Sequence, residues 1–256
     1  MLGRIWAIAG SCFLASGALA QGPPTGPPPP PRLAAPVDLT GYWVSLVTED
    51  WRHRMMTAPK GDALSVPLNP EGRKMAAAWD PAKDESAGEQ CRAYGAPGVM
   101  RLPGRLHITW QDDATLKVET DTGTQARILS FRPGQNPSQN PGGDWQGASA
   151  ATWDLPTPPI PQPFGPPAAL GAGGSLKVVT TRMKAGYLRK NGIPYSANTV
   201  LTEYWDRLDV PGGDSLLTVA TEVLDPMYLG QPFWTSSHFR KQNDASGWNP
   251  TPCTAR

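Results

Sequence analysis

Prolines and glycines interrupt this chain so often, as 30 and 27 of its 256 residues, that no long helix can propagate through it. Proline removes a backbone donor and clashes with the preceding turn, while glycine loses the most conformational freedom on ordering. Such a chain must fold as short elements joined by tight turns. Between the turns, the residue pattern is mostly that of strands.

The first such segment is Gly41 to Thr48, where Tyr42, Val44, Leu46 and Thr48 alternate with Trp43, Ser45, Val47 and Glu49. Aromatic and β-branched residues at this spacing predict a well-buried strand. Asn69-Pro70-Glu71 then reads as an N-cap, a first-turn proline and a favourably placed acid, predicting a short helix through Trp79 that stops at Asp80-Pro81. A weaker helical pattern covers Ala82 to Tyr94. Further strands are expected over Val99–Leu102, Arg105–Gln111, Thr115–Thr120, Gln125–Phe131, Trp145–Trp153, Ser175–Met183, Asn198–Leu208, Ser215–Leu224 and Pro232–Phe239. Turn sequences such as Pro103-Gly104 and Asp121-Thr122-Gly123 separate them. The expectation is an all-β, mainly antiparallel fold of about nine strands, a barrel or strongly curved meander with one or two short helices.

Residues 1–20 read as a secretory signal peptide: Arg4, the apolar run Ile5–Leu19, and Ala18-Leu19-Ala20 before Gln21. Cys12 lacks the upstream apolar residue that lipid attachment uses. Residues 21–36, with prolines at 27 to 31, are expected to be an unstructured proline-rich tether, and residues 37–256 a single β-barrel domain. Within it, a Pro/Gly-rich insertion spans about 156–174.

Without its leader the chain carries 22 basic and 22 acidic side chains. A neutral exported protein is a poor nucleic-acid binder, and no second apolar stretch could span a membrane. The remaining cysteines, Cys91 and Cys253, are expected to form one disulfide in an oxidising compartment, periplasmic or extracellular.

Gly41-x-Trp43 on an early strand followed by a meander resembles the start of lipocalin and related calycin-like barrels, which implies that the tryptophan packs across the barrel floor. Thr48–Arg52, Gly186–Ser196, Thr202–Arg207 and Asp225–Phe233 are similar to a family of exported bacterial proteins of unassigned function. That resemblance covers most of the chain after Val37 and implies a lipocalin-like fold and a periplasmic address. It brings no activity, and it implies an aromatic residue in relatives where His53 stands here.

The three histidines, His53, His107 and His238, show no metal-ligand spacing, and no metal or cofactor is expected. Gly-x-Ser-x-Gly, Gly-x-Gly-x-x-Gly placed between strand and helix, and a phosphate-loop lysine are all absent. The chemistry that remains lies in charge placed on strands. Leu201, Glu203, Trp205 and Arg207 share one face; if it points inward, Glu203 and Arg207 must be paired or meet a ligand, because an isolated buried charge is costly. Thr218, Ala220 and Glu222 form a comparable face on the next strand.

Three functions follow as expectations. The first is binding of a small apolar or amphipathic molecule inside the barrel, with Trp43, Trp51, Arg52, Tyr204, Trp205 and Glu222 as contacts. The second is an isomerase, lyase or hydrolase using Glu203 as base, Arg207 to stabilise negative charge, and Tyr228 or His107 as proton donor. The third is a structural or interaction protein of the envelope, which a filled barrel bearing an exposed apolar patch would favour. Tyr187, Tyr195, Tyr204 and Tyr228 supply hydroxyl donors with ring surface in any of them.

Overall fold

The computed structural model describes residues 26–132, 143–155 and 173–256. The expected signal peptide, the first part of the tether and nearly all of the 156–174 insertion lie outside these residues.

Nine strands close into a barrel: β1 (Gly41–Leu46), β2 (Arg105–Asp112), β3 (Thr115–Thr120), β4 (Gln125–Ser130), β5 (Ala148–Asp154), β6 (Ser175–Thr181), β9 (Val200–Asp209), β10 (Ser215–Leu224) and β11 (Phe233–Gln242). The order around the barrel is β1-β11-β10-β9-β6-β5-β4-β3-β2. Closure comes from β1, whose Tyr42 lies opposite Gln242 on one side and His107 on the other. Every pair is antiparallel except β4 with β5, which run parallel at Leu129↔Ser149 and Ser130↔Ala150. Between β6 and β9 the chain leaves the barrel to form a separate hairpin, β7 (Gly186–Arg189) and β8 (Ile193–Tyr195).

The alternation read from the sequence holds. Leu106 and Ile108 on β2, Leu201, Glu203 and Trp205 on β9, and Leu217 and Val219 on β10 are all buried. They meet Trp43, Leu116, Val118, Leu129, Leu176, Val178 and Phe239 in one continuous core. Trp43 is fully buried and donates its indole N–H to the Leu39 carbonyl at 2.9 Å.

Among the described residues four short helices flank the barrel: α1 (Trp51–Arg54), α2 (Pro70–Ala78), α3 (Pro81–Ser86) and α4 (Ala96–Val99), with a 3₁₀ turn at Arg92–Tyr94. The side chain of Asn69 caps α2 through the Gly72 N–H at 2.9 Å, and that of Asp80 caps α3 through the Ala82 N–H at 3.1 Å. Two expectations need correction. Val99–Leu102 is not a strand, because Pro97 opens α4 in its first turn and carries Val99 and Met100 into the core as the helix ends. The helix expected over Ala82–Tyr94 breaks in two around Gly88, whose φ of +72° lies outside helical geometry.

A second apolar core lies outside the strands' own. Leu68, Ala76, Met183, Leu188, Ile193, Tyr195, Leu229 and Phe233 join α2, the β7–β8 hairpin and the 225–233 loop to the barrel end at Leu201 and Val223. The opposite end is closed by Trp110, Phe131 and Trp153, with ring centroids 5.2 to 6.4 Å apart. The expected tether is laid against that end: the Trp153 indole donates to the Pro31 carbonyl at 2.8 Å and the Arg32 N–H to the Asp113 carbonyl at 3.0 Å. An aromatic surface gives these prolines something to cover. Cys91 and Cys253 form the disulfide, joining residues 162 positions apart.

Candidate functional site

Where α2, α3 and the β7–β8 hairpin meet, a cleft of about 200 Å³ opens on the outside of the barrel, lined among others by Met75, Trp79, Arg92, Tyr187, Tyr195 and Tyr228. Local sequence builds each wall. Trp79 is the residue on which α2 ends, and Asp80 next to it caps the start of α3, so the indole is held at the junction of the two helices. Gly192, at φ +80° in the β7–β8 turn, lies under that indole; a Cβ there would fall 2.1 Å from the ring. Tyr195 is fully buried, and its hydroxyl lies against Gly95 and Gly186, where added Cβ atoms would come within 2.1 and 2.7 Å of it. Only glycine allows these approaches.

The carboxylates in this cleft already accept hydrogen bonds. Asp84 accepts from Arg92 Nη1 at 3.0 Å and from the Tyr187 hydroxyl at 2.9 Å, and the Arg92 guanidinium stands 4.7 Å over the Tyr187 ring. Asp80 is used as the α3 cap. Burial, followed by the bond to Asp84, raises the Tyr187 pKa above its ordinary value; burial does the same for Tyr195, with the Arg92 charge opposing and the Asp144 charge adding to the shift. Both therefore stay protonated and can donate. The donors, by contrast, are left over: Tyr195 Oη, Trp79 Nε1 and Arg92 Nε are buried without a hydrogen-bond partner among the described residues. Buried polar atoms are almost always paired; these three belong to twelve buried side-chain atoms without a partner among the described residues, others lying at the rim on His53, Arg54 and Arg189, and they gather around an aromatic cleft, where an acceptor-bearing ligand would satisfy them.

The residues expected to form a catalytic group are not brought together. Glu203 is fully buried inside the barrel, but its partner is Arg127 on β4, with Nη1 to Oε1 at 2.9 Å and a second, shorter bond from Nη2 to Oε2. Thr180 Oγ1 accepts from the same guanidinium and meets Ser149 Oγ at 2.7 Å. Arg207 lies four residues along β9, about 13 Å away at strand rise, where it bonds Asp209, Ser215 and the Asp38 carbonyl. The expected Glu203–Arg207 pairing fails because barrel closure presents a nearer guanidinium to Glu203, while Arg207 has reached the barrel edge. His107 points outward, stacked on Tyr42 at 4.1 Å and 3.3 Å from Glu119. Tyr228 is the one member of that group that lines the outer cleft.

The expected ligand contacts are dispersed too. Trp43 and Trp205 fill the barrel core, and Trp205 Nε1 has no partner there. Tyr204 and Glu222 are half-buried on faces opposite the core residues of their strands, with Lys177 5.5 Å from the Tyr204 ring. Trp51 is exposed, and Arg52 pairs with Asp62 at 2.9 Å.

The Glu49–Arg54 segment forms a network at the barrel rim that recruits two arginines the sequence reading did not connect to it. Arg54 bonds Glu49 at 2.7 Å and Arg101 bonds Asp50 at 2.7 Å, with Arg189 3.6 Å from Asp50. Burial lowers the pKa of all three arginines, that of Arg101 to about 10 with the Arg54 charge contributing. Glu49, Asp50, Phe233 and Trp234 help to line a shallow cleft of about 370 Å³ beside it. No group of three His, Cys, Asp or Glu side chains among the described residues is placed to hold a metal ion.

No protein-family model matches the chain, and no curated protein or solved structure matches it significantly. Trp79, Asp84 and Arg92 are the site residues that sequence reasoning missed. The sequence signal for Trp79 is its place directly before the Asp80-Pro81 helix start, a position that reads only as a helix stop.

Proposed function

We propose that this is an exported binding protein that takes an amphipathic ligand in the outer cleft, with the barrel serving as its scaffold. The observation that carries the proposal is the set of three unpaired buried donors, Tyr195 Oη, Trp79 Nε1 and Arg92 Nε, around an aromatic cleft whose carboxylates are already engaged. Its ligand presents an apolar ring or chain to Met75, Tyr187 and Tyr228 and an acceptor group to these donors. Binding within the barrel has less support, because Trp43, Trp205, Phe239 and the Arg127–Glu203 pair occupy its interior. An acid/base enzyme has less support as well, since Glu203 is committed to Arg127 and stands apart from Arg207.

The leader-like residues 1–20 and the disulfide support a periplasmic or extracellular address. No helix among the described residues is long and apolar enough to cross a membrane. Kinship with lipocalin-like exported proteins fits the same reading: two of the stretches that carry the resemblance, Gly186–Ser196 and Asp225–Phe233, supply Tyr187, Tyr195 and Tyr228 to the cleft.

The test is titration with 8-anilino-1-naphthalenesulfonate, whose rings and sulfonate match this chemistry. Saturable one-to-one binding is expected. Tyr195→Phe should weaken it about tenfold, the effect of one hydrogen bond, while leaving stability equal or slightly higher because an unpaired hydroxyl is removed. Equal affinity in the wild-type, Tyr195→Phe and Trp79→Phe proteins would remove the cleft from consideration.

A further inference from the structure

The cleft continues past Trp79. Its indole and Asp80 also line a second cleft, of about 500 Å³, whose walls include Pro59, Lys60 and Pro81. The two clefts adjoin at Trp79 and Asp80, and together they offer a groove-like surface longer than a single ring. Its walls carry aromatic and proline surface with the cations Lys60, Lys83, Arg92 and Arg256 against only two carboxylates, Asp80 and Asp84, and the buried donors Tyr195 Oη, Trp79 Nε1 and Arg92 Nε are unpaired among the described residues.

A polyproline II segment fits that asymmetry. It has no internal hydrogen bonds, so its carbonyls are free to accept, and each proline removes an N–H that would otherwise need an acceptor. Its pyrrolidine rings offer apolar faces at a rise of about 3.1 Å per residue, and aromatic-lined grooves are a general means of reading such segments. A β-strand ligand would instead bring a row of N–H groups, for which the groove's carboxylates are few: Asp84 already accepts from Arg92 and Tyr187 on its two oxygens, and Asp80 Oδ1 from the Ala82 N–H.

The chain carries such a segment itself, Pro156-Thr157-Pro158-Pro159-Ile160-Pro161-Gln162-Pro163-Phe164, outside the described residues. Its base is the β5–β6 pair at Asp154↔Ser175, and the groove lies beyond the other end of β6, at Gly186 and Tyr187. That end is about 20 Å away at strand rise. Seventeen residues, 156–172, doubled back from one base reach about 25 Å at polyproline rise, which leaves no length to lie along the groove of the same molecule. A second copy has no such limit. We infer that the groove binds proline-rich polyproline II segments and that residues 156–164 of a second copy supply one. The inference rests on the outer cleft being the binding site.

The experiment has two arms on the mature full-length protein. A synthetic peptide spanning residues 155–167 is used to displace the bound anilinonaphthalenesulfonate, beside a version with Pro158, Pro159, Pro161 and Pro163 changed to serine. Sedimentation velocity then follows the full chain with and without the same four Pro→Ser changes. The proline peptide should displace the probe, the serine version should be at least tenfold weaker, and Trp79→Phe and Tyr195→Phe should each cost about tenfold. The unaltered chain should associate reversibly with rising concentration and the fourfold variant should not. If the probe titrates normally and the peptide fails to displace it, the proline assignment falls while the binding reading stands. If the peptide binds but the full chain stays monomeric above the peptide's Kd, a second copy is not the source.

Discussion

The barrel interior and the outer cleft handle buried polarity in opposite ways. Inside, Arg127 and Glu203 meet in a two-point ion pair, with Thr180 and Ser149 attached to it. Arg127 Nε and Trp205 Nε1 are left there without a partner among the described residues. Outside, the carboxylates are spoken for and the donors of Tyr195, Trp79 and Arg92 are not. Charge on a strand therefore marked the scaffold here, and an imbalance between donors and acceptors marked the candidate site. Inside a protein, a well-matched pair is more often architecture than chemistry.

The largest expected effect comes from breaking the interior pair. Arg127→Met leaves Glu203 buried without its partner and should cost about 3–5 kcal/mol in urea unfolding, whereas Arg127→Met combined with Glu203→Leu should recover most of that loss. Neither should alter probe affinity in the cleft by more than about twofold once the protein is folded. A large affinity change with unchanged stability would reverse the roles assigned to the two regions.

A smaller cost in stability with a larger one in binding is expected from Gly192→Ala. The φ of +80° and the 2.1 Å approach of the new Cβ to Trp79 strain the turn by roughly 1–3 kcal/mol, and the displaced indole should lower probe affinity at least tenfold. Unfolding curves and titration on the same sample separate the two effects.

The smallest effect concerns the rim. Neither ring nitrogen of His53 has a partner among the described residues, and its pKa is lowered by burial and then by the Arg189 charge, with Asp62 and Asp50 opposing and Arg52 adding to the shift. The unfolded chain therefore takes up a proton near pH 6.5 that the folded chain accepts only at lower pH. Stability from this group is complete above that pH and declines as the pH falls toward the folded-state value. His53→Phe should flatten the decline between about pH 6.5 and 5 without touching the cleft. An unchanged slope in thermal melts across that range would show that other groups control it.

Much of the barrel was legible because its evidence is local. Alternation on β2, β9 and β10 shows which residues turn inward, and the tight-turn sequences mark where strands end. The partner of Glu203 was not legible, since Arg127 and Glu203 are 76 residues apart and meet only through barrel closure. The parallel β4–β5 pair was hidden for a similar reason, as nothing in either strand records the direction of its neighbour. In the cleft, the tyrosines were visible as donors with ring surface. Trp79 looked like the end of a helix until Gly192, more than a hundred residues later, turned out to lie beneath it. Arg92 was unreadable in its role, because its value there depends on Asp84 being occupied.

The closure of β1 onto β11 sets an order of events for the growing chain. Tyr42 waits for Gln242, and Cys91 for Cys253, so almost the whole polypeptide must be present before the sheet loses its open edges or the covalent tie can form. Contacts of such long sequence separation form late and fold slowly. A chain threaded N-terminus first through a translocation pore would therefore stay unlocked during passage and acquire its final form only on the far side, with its unpaired strand edges in need of shielding until the last strand arrives.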